Sequence, residues 1–168
     1  MVGWLREFLE TLLPAVLIAI LINLFFAQAT RVYGQSMEPN LHSNQRLVIE
    51  KVSYWFHGPR RGDIVVLKLP DRPDELLIKR VIGLPGERVE IRDGNIYIDG
   101  ALLQEPYVVQ KTPGVMGPTI VPPFHIFVLG DNRAASNDSR SFGMVPIKAV
   151  IGRAWFSYWP LDAIGLVK

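Results

Sequence analysis

The 168-residue sequence predicts a mainly β fold, an antiparallel β-sheet or small barrel, preceded by one N-terminal transmembrane helix. Three observations carry this. An unbroken apolar run, LLPAVLIAILI, occupies residues 12–22. Behind it come short β-branched or apolar segments, each bounded by Pro, Gly or Asp. Between two of these segments stands Asp93-Gly94, a hairpin signal.

A tail, residues 1–10, leads into the apolar segment. Thr11 to Ala29 is 19 residues. At about 1.5 Å per residue a helix of that length spans roughly 28 Å, close to a bilayer core of about 30 Å. Pro14 falls near the expected helix start, where a missing N–H costs little. A cleaved signal peptide competes with a retained anchor, because Arg6 precedes the apolar core and Ala27-Gln28-Ala29 resembles an A-x-A cleavage site. Local charge does not decide the orientation: Arg6 stands against Glu7 and Glu10 on one side, and Arg31 lies on the other. Residues 30–168 form a β-rich domain. Arg46–Val52, Ile64–Leu69 and Leu76–Ile82 read as strands. Val89–Ile91 and Ile96–Ile98 flank Arg92-Asp93-Gly94-Asn95, and Asp99-Gly100 makes the next turn. Residues 103–123 hold five prolines and two glycines and read as an extended loop. Residues 86–124 are therefore expected to be a small β and loop excursion. His125–Leu129 is another strand, and Val145–Tyr158 a strand pair or one long bent strand. Helix beyond the anchor should be minor.

Composition narrows the chemistry. Eighteen basic and 16 acidic residues give a net charge of +2, spread along the chain. That is unlike the clustered basic face of a nucleic-acid binder. The absence of cysteine excludes disulfides, a thiol nucleophile and thiolate zinc sites. His42, His57 and His125 have no metal-ligand spacing, so neither metal nor other cofactor is expected.

GQSMEPNL, residues 34–41, holds a serine, Ser36, outside any G-x-S-x-G elbow. A serine that attacks a carbonyl at neutral pH needs a base. His42 lies in a polar loop with no carboxylate to orient it, and His125 opens a strand. Lys79 sits mid-strand in LLIKRVIG. Alternation puts Leu77, Lys79 and Val81 on one face and Ile78, Arg80 and Ile82 on the other. Burial of the first face would desolvate the ammonium and lower its pKa, and a neutral amine can serve as general base. On periodicity alone, a lysine whose ammonium snorkels to water fits at least as well. GDNRAASNDSRSFG, residues 130–143, is either a polar loop satisfying its own backbone or a scaffold fixing a neighbouring site. Asp131, Asp138, Arg133 and Arg140 are available to pair within it.

Taken in order, these stretches resemble the bacterial type I signal peptidases, membrane-bound Ser–Lys endopeptidases. GQSMEPNL resembles that family's serine box and RRGDIVVL its Gly-Asp-Ile-Val box. LLIKRVIGLPGE resembles the lysine box, and FVLGDNRAASNDSRSFG the Gly-Asp-Asn-Arg box. Four boxes in order behind one apolar segment cover most of the chain. The resemblance implies a mainly antiparallel β catalytic domain on the extracytoplasmic side of the plasma membrane, with a single-pass anchor and a cytoplasmic N-terminus. It implies removal of N-terminal signal peptides from exported preproteins bound in extended conformation, with small residues preferred at −1 and −3. By position, Ser36 would be the nucleophile, Lys79 the base and Ser136 the hydroxyl that hydrogen-bonds and orients the amine. Asp138 and Arg140 would form a structural ion pair, with Arg80 and Asp131 as further polar support. Met37, Leu41 and Ile78 would lie near the shallow substrate pockets. The implied partners are preproteins and the lipid bilayer, without nucleic acid, metal or cofactor.

Two positions depart from the family pattern. Asn40 replaces a usual threonine, with little effect expected. Gly34 stands where some members carry a serine that helps hold the oxyanion, which leaves backbone donors, first the Ser36 N–H. Trp155, Phe156, Tyr158 and Trp159 read as core or as an interfacial belt, and Trp55-Phe56 is a second candidate belt. A self-cleaving repressor-type Ser–Lys protease shares the dyad and β fold but is soluble and carries a DNA-binding domain. The apolar segment and residues 130–143 count against it. A non-enzymatic tethered module would have to lack a dyad residue, and both are present. Ala27-Gln28-Ala29 is also a candidate for self-cleavage.

Overall fold

The computed structural model describes residues 2–72 and 74–168. The N-terminal apolar stretch folds differently from the expected helix over 11–29. Helix α1 runs Val2–Leu21, a turn of π-helix follows at Ile22–Phe26, and strand β1 occupies Ala27–Arg31. The tail is thus helical from Val2, Pro14 lies inside the helix, and the A-x-A segment is strand. Strand pairing explains the end: Ala27 to Arg31 is in antiparallel register with Glu50 to Arg46, which satisfies a backbone that helix would otherwise have to. Among the described residues no helix is long and apolar enough to cross a membrane. Starting at Val2 brings Glu7 and Glu10 into the same helix as the apolar run. Leu12, Leu13, Val16, Leu17, Ile18, Ile20 and Leu21 are nonetheless exposed on it.

The remainder is antiparallel β. After β1 come β2 (Arg46–Glu50), the short helix α2 (Ser53–Phe56), β3 (Ile64–Lys68) and β4 (Leu76–Gly83). Next are β5 (Arg88–Arg92), β6 (Asn95–Ile98), β7 (Ala101–Leu102) and β8 (Met116–Ile120). The chain ends through β9 (His125–Leu129), helix α3 (Ser139–Phe142), β10 (Val145–Pro146), β11 (Val150–Trp159) and β12 (Gly165–Leu166). The large sheet has the order β1-β2-β11-β3-β4-β9-β10, with β12 paired to β11. Its path is open, with β1 and β10 at opposite ends, so among the described residues the strands do not close into a barrel. The small sheet, β7-β6-β5-β8, lies within the 86–124 excursion. The Val145–Tyr158 stretch becomes two strands, with a 3-10 turn at Ile147–Ala149 between β10 and β11.

Turn chemistry accounts for the small sheet. Asp93 and Gly94 have φ of 54° and 80°, and Asp99 and Gly100 have 51° and 85°. Positive φ at both central positions is what a tight hairpin with right-twisted strands requires. One apolar cluster (Val89, Ile91, Ile96 and Phe127 among others) joins this sheet to β9. A second cluster gathers Leu77 and Val81 of β4 with Val65 of β3, which is the Lys79 neighbour across the strand pair. A third places Met37 and Leu41 against Leu47, Ile49, Ile64, Val66, Ile78 and Ala154. Met37 and Leu41 come from the loop between β1 and β2, so this cluster pins that loop to the sheet. Fully burying a side chain of this size contributes about 1.5–3 kcal/mol.

Trp155 and Trp159 are about half exposed, at 47% and 49%, so neither is core. The buried positions of β11 are Gly152, Ala154 and Ser157. Trp55 and Phe56 of α2 are more exposed still, and the Trp55 ring packs 5.6 Å from the ring of Phe26.

Candidate active site

Ser36 is carried by the loop between β1 and β2. Val32 closes the loop's base: its N–H donates to Gln45 O, and its carbonyl accepts from Asn44 N–H. Within the loop, Met37 and Leu41 point into the core, which leaves Ser36 half-buried above it. Gly34 has φ of +80°, so a side chain there is strained although the space around it is open. The Ser36 carbonyl accepts from Asn132 N–H at 3.0 Å, which ties the loop to the segment after β9.

Lys79 lies mid-β4 and is 3% exposed. Its Nζ donates to Ser36 Oγ at 2.7 Å. Among the described residues it has no ion-pair partner. Burial pushes its pKa down from 10.5 to about 8, against the opposing pull of Asp138, Glu75 and Asp131. A sizeable fraction of the amine is therefore neutral near physiological pH, hydrogen-bonded to a hydroxyl. That is the arrangement in which an amine can take the hydroxyl proton.

Residues 130–143 are held together by Asp138 and Arg140. Arg140 Nε and Nη2 donate to Asp138 Oδ1 and Oδ2, each at 2.8 Å, and Gly130 N–H donates to Asp138 Oδ2 at 3.1 Å. Burial alone would raise the Asp138 carboxyl, but these bonds, led by Arg140, hold it below its ordinary value. Ser136 does not hydrogen-bond Lys79. Its Oγ is buried without a hydrogen-bond partner among the described residues, though it lies close enough to Asp138 to help keep that carboxyl ionised. It is nevertheless packed against the site. A Cβ on Gly130 would fall 2.3 Å from Ser136 Oγ and 2.4 Å from Ser36 O. Position 130 therefore admits no side chain while Ser36 and Ser136 stay where they are.

The other two charges of this loop pair outside it, not within it. Arg80, next to Lys79 on β4, donates to Asp131 through Nε at 2.8 Å and Nη2 at 2.6 Å. Arg133 donates to Glu105 Oε1 at 2.5 Å and to Thr112 Oγ1 at 2.6 Å. Glu105 and Thr112 belong to the Pro-rich stretch, so Arg133 fastens the excursion to the site. Asn40 also gains a role that its sequence does not signal. Its Nδ2 donates to Asp131 Oδ2 at 2.9 Å and to Tyr107 O at 2.8 Å. Neither contact was readable from the sequence, because both depend on chain brought in from 67 and 91 positions away.

Beside Ser36 and Lys79 lies a cleft of about 360 Å³, lined by Thr30, Arg31 and Tyr33 on one side and by Leu76, Leu77 and Ile78 on the other. Both walls offer free strand edges among the described residues. β1 ends the sheet, and β4 pairs with β9 only from Arg80 onward, which leaves the outer edge of Leu76–Lys79 open. Of the three expected pocket residues, Ile78 lines the cleft. Met37 and Leu41 are core beneath it, at 1% and 3% exposure. His42 and His125 do not reach the serine: His42 is exposed near Glu38, and His125 Nδ1 contacts Pro123 O.

Comparison with known proteins places the chain in a family. The family model for signal peptidase, peptidase S26, matches residues 5–159. The chain is 42% identical to a probable signal peptidase I-2 of Synechocystis sp., over 98% of this chain and 77% of that protein. It is also 42% identical to a signal peptidase I of Leptolyngbya laminosa, over 96% of this chain and 83% of that protein. A crystal structure of a signal peptidase I from Enterococcus faecalis V583 superposes with a TM-score of 0.52 at 37% identity, covering 56% of this chain and 95% of that chain. With matches of this breadth, the chain belongs to the signal peptidase family, peptidase S26.

Proposed function

We propose that this signal peptidase cuts exported preproteins with Ser36 as nucleophile and Lys79 as general base. The single observation that carries the reading is the 2.7 Å bond from a desolvated Lys79 amine to Ser36 Oγ. The neutral amine takes the Ser36 proton as Oγ attacks the scissile carbonyl, then gives it to the departing amine. The ester that remains is hydrolysed by a water activated by the same amine. The Ser36 N–H is the first backbone donor available to the developing oxyanion. The signal-peptide segment lies extended between the free edges of β1 and β4, adding a strand to each, with Ile78 among the side chains that limit the −1 and −3 residues to small ones. Ser36→Ala is expected to slow cleavage of a purified preprotein by about 10³-fold or more with an unchanged far-UV circular dichroism spectrum. Wild-type rates from that variant would sink the assignment.

The exposed apolar face of α1, with Phe26, Trp55 and Phe56 beyond it, supports a seat on lipid. The full chain is expected to float with phospholipid vesicles, and a variant with Leu13, Leu17 and Ile20 replaced by Asp is expected to stay behind. Equal flotation of the two would rule out this face as the seat.

A further inference from the structure

We propose that a second cavity, across the Ser36 loop from the cleft, receives the first residues of the released chain, and that Glu38 makes it favour basic over acidic side chains there. This rests on the Ser–Lys reading above. The cavity measures about 260 Å³ and lies between Glu38, the exposed Val109 and Gln110, and residues 131–133. It shares no lining residue with the cleft, but Ser36 lines the cleft and Glu38, two residues on, lines the cavity, so the two flank the same short segment. Asn132, which lines it, donates its N–H to the Ser36 carbonyl at 3.0 Å and so ties this wall to the Ser36 loop. An extended substrate whose acyl half lies between β1 and β4, with its scissile bond at Ser36 Oγ, continues past Ser36 into this space. At about 3.3 Å per residue an extended chain advances about 7–10 Å in two to three residues, which is the reach this placement requires.

The charges around the cavity are unequal in reach. The Asp131 and Arg133 side chains are both 0% exposed and are neutralised by Arg80 and Glu105. Glu38 has a side chain 33% exposed, and among the described residues its ion-pair contact is a marginal one, 3.9 Å from the exposed His42 ring. Among the described residues, Glu38 is therefore the lining charge left to act on a ligand. Val109, 78% exposed, supplies an apolar wall for the aliphatic stem of a lysine or arginine. An ion pair at such a half-open rim is modest, which sets the expected size of the preference at about two- to fivefold in kcat/KM.

The test uses the full chain and two preproteins identical except for Lys or Glu at the second residue after the cleaved bond. Wild type is expected to cleave the Lys substrate about two- to fivefold better, and the gap should narrow in high salt. Glu38→Gln should level the two rates, and Glu38→Lys should invert them. An unchanged ratio in both variants, or no preference in wild type, would overturn the inference while leaving the Ser–Lys reading intact. Failure of wild type to cut either substrate would overturn that reading, and this inference with it.

Discussion

Lys79→Met is expected to abolish cleavage and at the same time to stabilise the folded protein at neutral pH. The substitution keeps the length and apolar stem of the side chain while removing the amine, so it removes the proposed base with little repacking. Loss of a general base, together with the hydroxyl activation it supplies, should cost about 10³-fold or more in rate. The stability gain follows from the lowered pKa. An unfolded lysine holds its proton up to about pH 10.5, whereas buried Lys79 gives it up near 8. Between these values the unfolded state binds more protons, so stability rises with pH across that window. The penalty is fully present below pH 8 and is gone above 10.5. A shift of this size corresponds to a penalty on the order of 3 kcal/mol, from which about 1 kcal/mol is lost again because Ser36 Oγ forfeits its partner. Urea unfolding at pH 7 should therefore find the methionine variant more stable, with a pH slope between 8 and 10 flatter than that of wild type. The same titration should appear in wild-type kcat/KM as a rise to a plateau above about pH 8. Flat wild-type stability over that range, with no gain in the variant, would mean that the ammonium reaches water.

Local pattern made much of the fold legible. Period-two alternation and β-branched runs marked β2, β3, β4 and β9, and the Asp-Gly turns placed the β5–β6 and β6–β7 connections because those positions need positive φ. Order within the sheet was not legible. β11 lies between β2 and β3, far from both in sequence, and no local signal encodes that. The apolar N-terminal run misled at its end, since Ala27–Ala29 suits a helix by composition and becomes strand only because β2 is there to pair with it. The site divides in the same way. Three stretches marked Ser36, Lys79 and residues 130–143 as places of unusual chemistry, and the family resemblance added Arg80. Which charges pair was decided by burial in three dimensions: Asp131 turned to Arg80, and Arg133 to Glu105, although Asp138 and Arg140 were nearer in sequence. Asn40 was undervalued for the same reason, its partners being Asp131 and the Tyr107 carbonyl.

Asp131→Ala is expected to be among the most destabilising single changes in the chain. Arg80 and Asp131 form a two-bond pair with side chains 3% and 0% exposed. Arg80 has other contacts, the Gly62 carbonyl at 3.0 Å, the Lys168 main-chain oxygen at 3.1 Å and the Tyr107 ring 4.0 Å from its guanidinium carbon, but among the described residues Asp131 is the side-chain carboxylate it pairs with. Removing the carboxylate leaves a buried guanidinium without its side-chain counter-charge, which costs about 3–5 kcal/mol. For a domain of this size that corresponds to a Tm lowered by roughly 6–20 °C. It also removes one of the two acceptors of Asn40, and with it one of the ties that hold the Ser36 loop. Cleavage should therefore fall even at temperatures where the variant remains folded. The double variant Arg80→Met with Asp131→Ala separates the causes. If the unpaired charge dominates, removing it as well should recover most of the lost Tm, since a buried ion pair exchanged for apolar contact is often close to neutral. The rate should stay low, because Asn40 still lacks its Asp131 acceptor and the Ser36 loop that tie. Thermal unfolding of the single and double variants beside wild type tests this directly. A cost below about 1 kcal/mol for Asp131→Ala would show that water reaches Arg80, and that the pair behaves as a surface ion pair.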